Sequence, residues 1–587
     1  MIRLVLAIGC MGLTGQAVVF AAEQAVPQGS PVPLEQLGSA GEEARWKAAA
    51  GLAQSPPEVV PQIAERLRDS NVKVRRYAAL ALGMIGKKAK AAVPGLLQAL
   101  GDKEAKVRRN AAAALGAIGA DGKSVVPALT ALLTDPDPGV VFAATRALGQ
   151  FGADAAAAAG PLEQVLRTAK AENLQWATSY ALDSIVGPRT EPPKREKLVV
   201  EGHVLNKHVR MLDGQWQGLR VAADGICYFA AGGHWANHGS AFFCYDPRTR
   251  AVKMLCEDIS PICGEDIRKT PPQGKIHSEI VEKDGWLYFG THLADYTPQG
   301  IDRFTGGHLL GYEFATGKFR DFGVVHTNYT NYSGIGIDRG RDLIYFYVTP
   351  FGKGDGPRLY RVDIKTGKKQ DLGVLLGKTK DEHRPAFHIF VDRRGDCWFE
   401  IRSDLGTLYC ARGATGKIER WPSALPPHPD AWDWHGELPG GDRCLVMAGE
   451  DLCLFDPTED RDSPAAFFPI KKTGRVHLGA GREGNRFFYA PVCQLAPGRR
   501  ETRLRSLELA PASRPAIVDH GLLVDQDGRV SSGIWGLDVR NGRVFTIGRW
   551  IVKPGEEKTI GVDRHGTFYA VIFAVADLSA DLRGQSR

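Results

Sequence analysis

The sequence predicts a two-domain protein in which an α-helical solenoid is followed by an all-β propeller of seven blades. An Ala/Leu-rich region repeats every 33 residues and has apolar positions at helical spacing. The rest of the chain repeats a β-hairpin signal about every 40 to 60 residues, as propeller blades do. With 587 residues, the chain also exceeds what one hydrophobic core usually organises.

The first 22 residues are typical of a secretory signal peptide, with an apolar run that ends at Ala21 and Ala22. A lipoprotein signal that uses Cys10 is the alternative. Residues 23–33 are rich in Pro, Gly and Ser and are predicted to form a tether. No later window supplies the roughly 18 consecutive apolar residues of a membrane helix. We therefore expect an exported protein, periplasmic or extracellular, without a membrane span.

Charge gives little support for a nucleic-acid partner. The net charge of +7 is small for this length and is expected to be spread over the whole chain, and 24% of the residues are charged, as in ordinary globular proteins. We therefore predict no nucleic-acid partner.

Residues 34–187 are predicted to form the solenoid. Four sets of residues recur at intervals of 33: Asp69, Asp102 and Asp135; Val74, Val107 and Val140; Leu82, Leu115 and Leu148; and Gly86, Gly119 and Gly152. We expect the aspartates to cap helices, the glycines to end them, and Pro94 and Pro127 to open the helices that follow.

The segments VRRYAALALGMIG and VRRNAAAALGAIG, which begin at Val74 and Val107, resemble short HEAT repeats. The resemblance implies a stack of helix pairs that share one core and offer a surface to a protein partner. The paired arginines of these segments could form a basic ridge or could be solvated or interhelical; they are Arg75, Arg76, Arg108 and Arg109.

Residues 188–197 are rich in Pro and charge and are predicted to be a linker, and residues 198–587 are predicted to be the propeller. Its predicted hairpins include GLRVAADGICYFA and KIHSEIVEKDGWLYFG. Several of the hairpins precede a Tyr- or Phe-rich strand and a Thr-Gly-Lys turn. The stretch Leu198–Leu205 is a candidate closing strand.

Nine cysteines remain once the leader is removed. Three pairs lie at the ends of short hairpins: Cys227 and Cys244, Cys397 and Cys410, and Cys444 and Cys453. In an oxidising compartment they could form disulfides, or they could serve as small buried hydrophobic residues. The sequence has no Cys-x-x-Cys-His, so c-type haem is not indicated.

The predicted hairpin from Lys275 to His292 differs from the other hairpins in having a histidine near each open end. Asp284-Gly285 is a strong turn signal, and pairing about that turn places His277 opposite His292. Histidines also recur near the first strands of later blades, namely His388, His435 and His477. Such imidazoles suit a divalent metal ion or an acidic ligand, although hydrogen-bonded channel-wall residues are an alternative for each of them.

A second candidate cluster lies in the third blade. Tyr345 and Tyr347 are predicted to approach Arg361 and Arg358, respectively, across the next turn. A tyrosine beside an arginine ionises more easily, and an arginine can bind a carboxylate through two hydrogen bonds. The alternative is a core aromatic side chain beside a surface arginine.

A secreted propeller with these residues resembles the seven-bladed polysaccharide lyases that act on ulvan-type acidic polysaccharides. The resemblance implies β-elimination: Arg361 and a histidine neutralise a uronate carboxylate, and His292 or Tyr345 takes the C5 proton. It gives His277, His292, Tyr345 and Arg361 as catalytic residues. Residues implied to contact an acidic polysaccharide or oligosaccharide are Tyr347, Arg358 and His234.

More loosely, the chain resembles the oligogalacturonate lyases. That resemblance implies a divalent metal held by His388, His435 and His477. The rival hypothesis is a non-catalytic propeller that binds glycan or protein and is presented by the helical scaffold.

Overall fold

In a computed structural model of the protein, the described residues are 34–209, 212, 214, 218–234, 237–331, 334–350, 354–375, 389–401, 408–421, 433–437, 443–448, 451–457, 467–472, 476–496, 499–510, 514–553, 555–556 and 569–583. The predicted leader and tether lie outside them. Within these ranges no helix is long and apolar enough to cross a bilayer.

The N-terminal region is a solenoid of stacked helices, as its 33-residue period predicts. Its helices are α1 (Glu42–Ala53), α2 (Val60–Glu65), α3 (Val72–Ile85), α4 (Val93–Ala99), α5 (Ala105–Ile118), α6 (Gly122–Ala131), α7 (Pro138–Phe151), α8 (Ala159–Thr168) and α9 (Glu172–Val186). Gly86, Gly119 and Gly152 end α3, α5 and α7 with φ angles of 63°, 60° and 54°, so the prediction for the glycines is confirmed.

The repeat aspartates do not cap the helices as predicted. The residue before α3 is Asn71 and the residue before α7 is Asp137, and each accepts hydrogen bonds from the first turn of its helix. Asp102 and Asp135 instead form ion pairs with the preceding repeat, to Arg75 (2.7 Å) and Arg108 (2.8 Å). These arginines therefore join neighbouring repeats.

Of the two prolines predicted to open helices, one does and the other does not. Pro94 lies in the first turn of α4, as predicted, whereas Pro127 lies inside α6, which begins earlier because Asp121 caps it. Neighbouring repeats approach closely at their glycines: a Cβ on Gly83 would lie 3.3 Å from the Cα of Ala114 in the next repeat. Short side chains at this contact let α3 and α5 pack side by side.

The C-terminal region is a propeller-like array of mainly antiparallel sheets. Its strands are β1 (Lys197–Val204), β2 (Leu219–Val221), β3 (Cys227–Ala231), β4 (Ala241–Asp246), β5 (Ala251–Cys256), β6 (Val281–Lys283), β7 (Trp286–Gly290), β8 (His308–Glu313), β9 (Lys318–Val324), β10 (Tyr329–Thr330), β11 (Ile335–Asp338), β12 (Leu343–Pro350), β13 (Arg358–Asp363), β14 (Lys369–Val374), β15 (Ile389–Val391), β16 (Cys397–Glu400), β17 (Leu408–Ala411), β18 (Ile418–Trp421), β19 (Asp433–Glu437), β20 (Cys444–Ala448), β21 (Asp451–Phe455), β22 (Phe467–Lys472), β23 (Val476–Glu483), β24 (Arg486–Ala496), β25 (Arg499–Glu508), β26 (Val518–Asp525), β27 (Ser531–Arg540), β28 (Arg543–Ile551) and β29 (Tyr569–Asp577). Two short helices are α10 (Pro298–Arg303) and α11 (Ser579–Arg583).

The described strands form five separate blades, not the predicted seven. Four blades have four strands each (β2–β5, β6–β9, β15–β18 and β19–β22), and the third blade has five (β10–β14). The strands expected in blades six and seven form one eight-stranded sheet, in the order β23-β24-β25-β26-β1-β29-β28-β27. They merge because β1 pairs with β29 on one side, as the closing-strand prediction requires, and with β26 in parallel on the other.

The solenoid packs directly on the fifth blade. Trp176 of α9 lies in one apolar cluster with Leu445, Met447 and Ile470. In the same contact, Asp183 forms ion pairs with Lys471 (2.8 Å) and Arg514 (3.0 Å). The Asp183 and Lys471 side chains are both fully buried. The two regions therefore share a core with a charged centre.

The predicted linker is held against the last sheet. Thr190 forms a parallel bridge to Ile517, and the backbone N–H of Lys194 donates to the carbonyl of Asp519 (2.9 Å). Since these hydrogen bonds fix its backbone, the segment is part of the contact between the solenoid and the C-terminal sheets.

All eight cysteines that the structure describes are free, including the three predicted pairs. In the first pair, Cys227 lies opposite Tyr245 and Cys244 lies opposite Tyr228, so the two cysteines are not direct cross-strand neighbours. Six of the eight are buried, which agrees with the alternative role as small hydrophobic residues.

Candidate functional site

The candidate site lies at the open end of the hairpin formed by β6 and β7. Its turn is Asp284-Gly285, with φ angles of 50° and 83°. Val281 pairs with Tyr288 and Lys283 pairs with Trp286, which is the predicted register. The sequence therefore fixes this hairpin through its turn.

Beyond the hairpin the register shifts, and the predicted direct pairing of the two histidines is wrong. The backbone partner of His292 is Lys275. The shift arises because the hydroxyl of Ser278 accepts a hydrogen bond from the N–H of Gly290 (2.8 Å), which takes the place of a ladder bond. The His277 and His292 rings nevertheless meet, with centroids 4.7 Å apart.

A tyrosine hydroxyl is the centre of the site. Tyr296 lies four residues after His292, and its hydroxyl is 2.5 Å from Lys275 Nζ and 2.7 Å from His292 Nε2. On the other side of the imidazole, His292 Nδ1 is 2.5 Å from Thr330 Oγ1. Lysine, tyrosine, histidine and threonine thus form one hydrogen-bonded chain.

The donor and acceptor roles in this chain follow from the lysine. An ammonium group only donates, so the Tyr296 oxygen accepts from Lys275 and the phenol donates its own proton to His292 Nε2. Nδ1 of His292 then carries the ring proton and donates to Thr330. Burial, followed by the positive charge of Lys275, lowers the pKa of His292 well below its ordinary value, so this imidazole is neutral and its Nε2 accepts the phenol hydrogen bond.

Two further histidines border the chain. His277 is buried, and burial, with added effects from His292, Lys275 and His234, lowers its pKa well below the ordinary value. The ring of His234 stands edge-on to that of Tyr296, with centroids 5.3 Å apart. Tyr296 and His234 are half-buried, whereas Lys275 is 1% exposed and His292 is 0% exposed. A ligand would therefore meet Tyr296 and His234 first.

Three consecutive blades build the site. His234 follows β3 of the first blade, Thr330 lies on β10 of the third, and the other members belong to the second. The first and second blades touch here through backbone, because a Cβ on Gly232 would lie 2.2 Å from the carbonyl oxygen of Gly274. After Tyr296, the hydroxyl of Thr297 caps α10 by accepting from Gly300 N–H (3.1 Å).

Tyr345 and Arg361 pair across β12 and β13, as predicted, but they hold two blades together. The Tyr345 hydroxyl donates to the carbonyl of Gly395 (3.0 Å), and Arg361 donates to that of Gly413 (2.8 Å). Tyr345 is fully buried, and burial raises its pKa although Arg361 acts in the opposite direction. The expected easier ionisation of Tyr345 is therefore corrected.

The second predicted pair in that blade does not form. Tyr347 lies opposite Leu359, and Arg358 lies opposite Val348, so the two side chains fall on different faces of the sheet. Tyr347 is buried in the cluster between the third and fourth blades. Arg358 forms ion pairs with Asp355 and Asp371.

The side chains of the predicted metal ligands lie outside the described part of the chain. His388 lies outside the described residues, and for His435 and His477 only the backbone, in β19 and β23, lies within them. In the part of the chain that is described, no group of three His, Cys, Asp or Glu side chains could hold a metal ion. The divalent metal remains a prediction.

Sequence reasoning missed Lys275 and Tyr296. Lys275 opens the same hairpin stretch, but a lysine at a strand end usually faces solvent. Tyr296 lies in a loop outside the alternating pattern that drew attention to the hairpin. The available signal was the spacing of Tyr296 four residues after His292, which is weak without the fold.

A second buried network lies beside the site and is centred on His308. Its Nδ1 is 3.0 Å from both carboxylate oxygens of Asp321, and its Nε2 is 3.7 Å from Glu265 Oε1. Glu265 accepts from Thr305 (2.6 Å) and Gln273 (3.0 Å). Burial by itself would lower the pKa of His308, but hydrogen bonds to Asp321, Cys263 and Glu265 raise it to about 11.

This network predicts a pH dependence of stability. Because the pKa of His308 is raised on folding, its charged form stabilises the fold fully below the unfolded value of about 6.5, and the effect is lost as pH rises toward 11. Urea unfolding of the wild type and of His308→Gln from about pH 6 to about pH 10 should give free-energy differences that shrink as pH rises. A difference independent of pH would contradict the charged state.

Comparison with protein families identifies the repeat type of the solenoid. Residues 93–183 match the family described as HEAT repeats, and residues 74–102 match the PBS lyase HEAT-like repeat. The HEAT resemblance is therefore confirmed, over less than half of the chain. No curated protein matches the chain at a significant level. None of these comparisons points to ulvan-type or oligogalacturonate lyases, so that resemblance remains a prediction.

Solved structures resemble only about a quarter of the chain. The complex of CpcE and CpcF of phycocyanin lyase from Nostoc sp. PCC7120 is 27% identical and covers 28% of this chain and 68% of that chain, with a TM-score of 0.23. An engineered protein is 26% identical and covers 26% and 77%, with a TM-score of 0.22. A designed armadillo repeat protein in complex with the peptide (KR)4 is 19% identical and covers 26% and 79%, with a TM-score of 0.21. Likenesses of this size support no functional conclusion.

Proposed function

We propose that the protein is an exported polysaccharide lyase that cleaves a uronate-containing polysaccharide by β-elimination, with Tyr296 as the base. One observation carries the proposal: the half-buried Tyr296 hydroxyl lies between a buried lysine ammonium and a buried neutral imidazole. The lysine favours the phenolate, and the negative charge of the phenolate in turn favours a protonated imidazole, so the pair can exchange the phenol proton. A phenol held in this way is prepared to exchange protons with a bound substrate.

The reaction balances with these groups. The Tyr296 proton moves to His292 Nε2, and the phenolate removes the proton from C5 of the uronate. The C5 electron pair forms the C4–C5 double bond, and the bond from C4 to the glycosidic oxygen breaks. That oxygen leaves with the bonding pair and takes a proton from the Tyr296 phenol on the same face. His292 then returns its proton to the Tyr296 phenolate, which restores the starting state.

The charge of the site favours an anionic sugar. Lys275 places one positive charge directly behind the Tyr296 hydroxyl, with Nζ 4.0 Å from the ring centroid. His234 is half-buried beside the same ring, and we assign it the contact with a uronate carboxylate. This assignment replaces Arg361, whose guanidinium donates to Gln370 and Gly413.

A second candidate is a non-catalytic propeller that binds glycan or protein and is carried by the solenoid. The matched HEAT repeats favour it, because stacked helical repeats commonly present extended binding surfaces. The candidates differ in product: only the lyase generates an unsaturated uronate.

The test is an absorbance assay with the mature protein and a panel of acidic polysaccharides, followed at the absorption band of unsaturated uronates. We expect product from at least one uronate polymer and none from neutral polysaccharides. Mass spectrometry should find unsaturated ends without added water. Binding without product across the panel would favour the second candidate and contradict the lyase.

A further inference from the structure

Positive charge is concentrated in two repeats of the solenoid. Residues 66–123 contain thirteen Lys or Arg and only four Asp or Glu, so their net charge of +9 exceeds the +7 of the whole chain. The small total had suggested an even distribution, but the remaining 529 residues are slightly acidic together. These two repeats therefore dominate the long-range field of the protein.

Three of these cations define what we call the basic face: Lys73 on α3, and Lys106 and Arg109 on α5. Lys73 and Lys106 occupy the same position in successive repeats and are exposed, and Arg109 lies three residues after Lys106 on the same side of its helix. Because α3 and α5 pack side by side, the rows lie about 10 Å apart. The face is continuous across the two helices.

The basic face is not neutralised within the described part of the protein. The carboxylates of Asp102 and Asp135 are engaged by Arg75 and Arg108, in the ladder that joins the repeats. For Lys73, Lys106 and Arg109, no ion pair is formed with any described residue. The arginines of the ladder thus occupy Asp102 and Asp135, and the carboxylate of Asp137, next to Arg109, caps α7.

The face ends at the next repeat. The positions in α7 equivalent to Lys106 and Arg109 are Gly139 and Phe142. Arg109 extends over this end, since a Cβ on Gly139 would lie 3.5 Å from its Cδ. If the repeat pattern required these cations, they would occur at the equivalent positions of every repeat. The basic face is restricted to two repeats and is therefore a local feature.

We infer that the basic face binds a polyanionic glycan, as a second contact for the polymer on which the propeller acts. The choice of a polyuronate rests on the function proposed above. Two of the three side chains are lysines, which bind carboxylates as point charges without the two-point geometry of arginine. Such a surface suits a flexible polymer with repeated charges. Binding at a distance from Tyr296 raises the local concentration of cleavable units at the site.

The experiment measures binding of soluble polyuronate to the full mature chain carrying Tyr296→Phe, so that turnover does not interfere. The test variant adds Lys73→Gln, Lys106→Gln and Arg109→Gln. The control adds Lys87→Gln, Lys88→Gln and Lys90→Gln, which remove the same charge about 20 Å away, past the far end of α3. Affinity is measured over a range of salt concentrations.

We expect the test variant to bind at least tenfold more weakly at low salt, with the slope of log K against log salt reduced by about 2. The control should stay within a factor of about three of the parent. Equal losses in both variants, or tighter binding of duplex DNA than of any polyuronate, would overturn the inference. If the wild type yields no unsaturated product but this binding pattern is found, the lyase proposal fails alone.

Discussion

Replacing Tyr296 with phenylalanine should lower kcat for uronate elimination by about 10² to 10⁴-fold, the usual contribution of a general acid or base. The hydroxyl is the atom that joins Lys275 to His292, at 2.5 and 2.7 Å. Phenylalanine retains the ring that packs against His234 but can neither accept nor return the proton. The measurement is initial rate of unsaturated product at saturating substrate, so that a change in KM is separated from the change in kcat.

The matched control is Tyr345→Phe. Tyr345 also loses only a hydroxyl, but this hydroxyl donates to the Gly395 carbonyl between two blades. We expect near wild-type kcat with a melting temperature lowered by a few degrees, because one buried hydrogen bond contributes about 1 kcal/mol. If Tyr345→Phe abolished elimination and Tyr296→Phe did not, the assignment of the base would be wrong.

Folding of the Tyr296→Phe variant needs its own measurement, since Lys275 loses a hydrogen-bond acceptor in a buried position. Far-UV circular dichroism and the melting temperature should show an intact fold. Restoring a proton acceptor with Tyr296→His should recover part of the lost rate. A folded Tyr296→Phe protein with unchanged kcat would contradict the mechanism.

Replacing Asp183 with asparagine should lower the free energy of unfolding by about 3 to 5 kcal/mol, the usual effect of breaking a buried ion pair. Asp183 is the common partner of Lys471 and Arg514, and both Asp183 and Lys471 are fully buried. Burial lowers the pKa of Lys471, and Asp183 acts in the opposite direction. Removing the carboxylate therefore leaves a buried ammonium without its counter-ion.

The control for this prediction is Glu163→Gln, which removes the exposed ion pair between Glu163 and Arg167 (3.9 Å). It should change the free energy of unfolding by less than about 1 kcal/mol. Rescue is expected from Asp183→Leu combined with Lys471→Met, because a hydrophobic pair removes the desolvation cost. Equal stability of Asp183→Asn and the wild type would contradict the buried contact.

The same contact predicts cooperative unfolding of the two regions. Nine of the eleven tryptophans follow residue 197, so fluorescence reports mainly on the propeller, whereas far-UV circular dichroism reports on the helices. In the wild type the two signals should change together in urea. In Asp183→Asn they should separate, since α9 then contacts the fifth blade without its charged centre.

Local patterns predicted those features that depend on neighbours in the chain. The glycines at 86, 119 and 152 end helices because only a left-handed or similar backbone stops the turn there. The Asp284-Gly285 turn fixes the pairing of β6 with β7. The same logic failed at His292, where a side-chain hydroxyl, that of Ser278, displaced the ladder by two residues.

Prediction of the site was partial for a related reason. His277, His292 and His234 were identified and do lie near one another. Tyr345 and Arg361 were assigned to the same site, yet their hydrogen bonds join the third and fourth blades. A catalytic tyrosine and a core tyrosine can have the same position in a strand. They are distinguished only by their burial and their hydrogen-bond partners, which the sequence does not give.

By itself, the sequence determined the helical repeats, the hairpins and the order of the two regions, because periods of 33 and 2 record contacts between residues close in the chain. Only the tertiary structure decided that β1 joins the last strands into one eight-stranded sheet, that Asp183 meets Lys471, and that Tyr296 lies between Lys275 and His292. These contacts join segments that are far apart in the chain, through pairing of distant strands and packing of loops. Such contacts impose no period on the residues involved. Their energies come from burial and charge, and both are properties of the assembled fold.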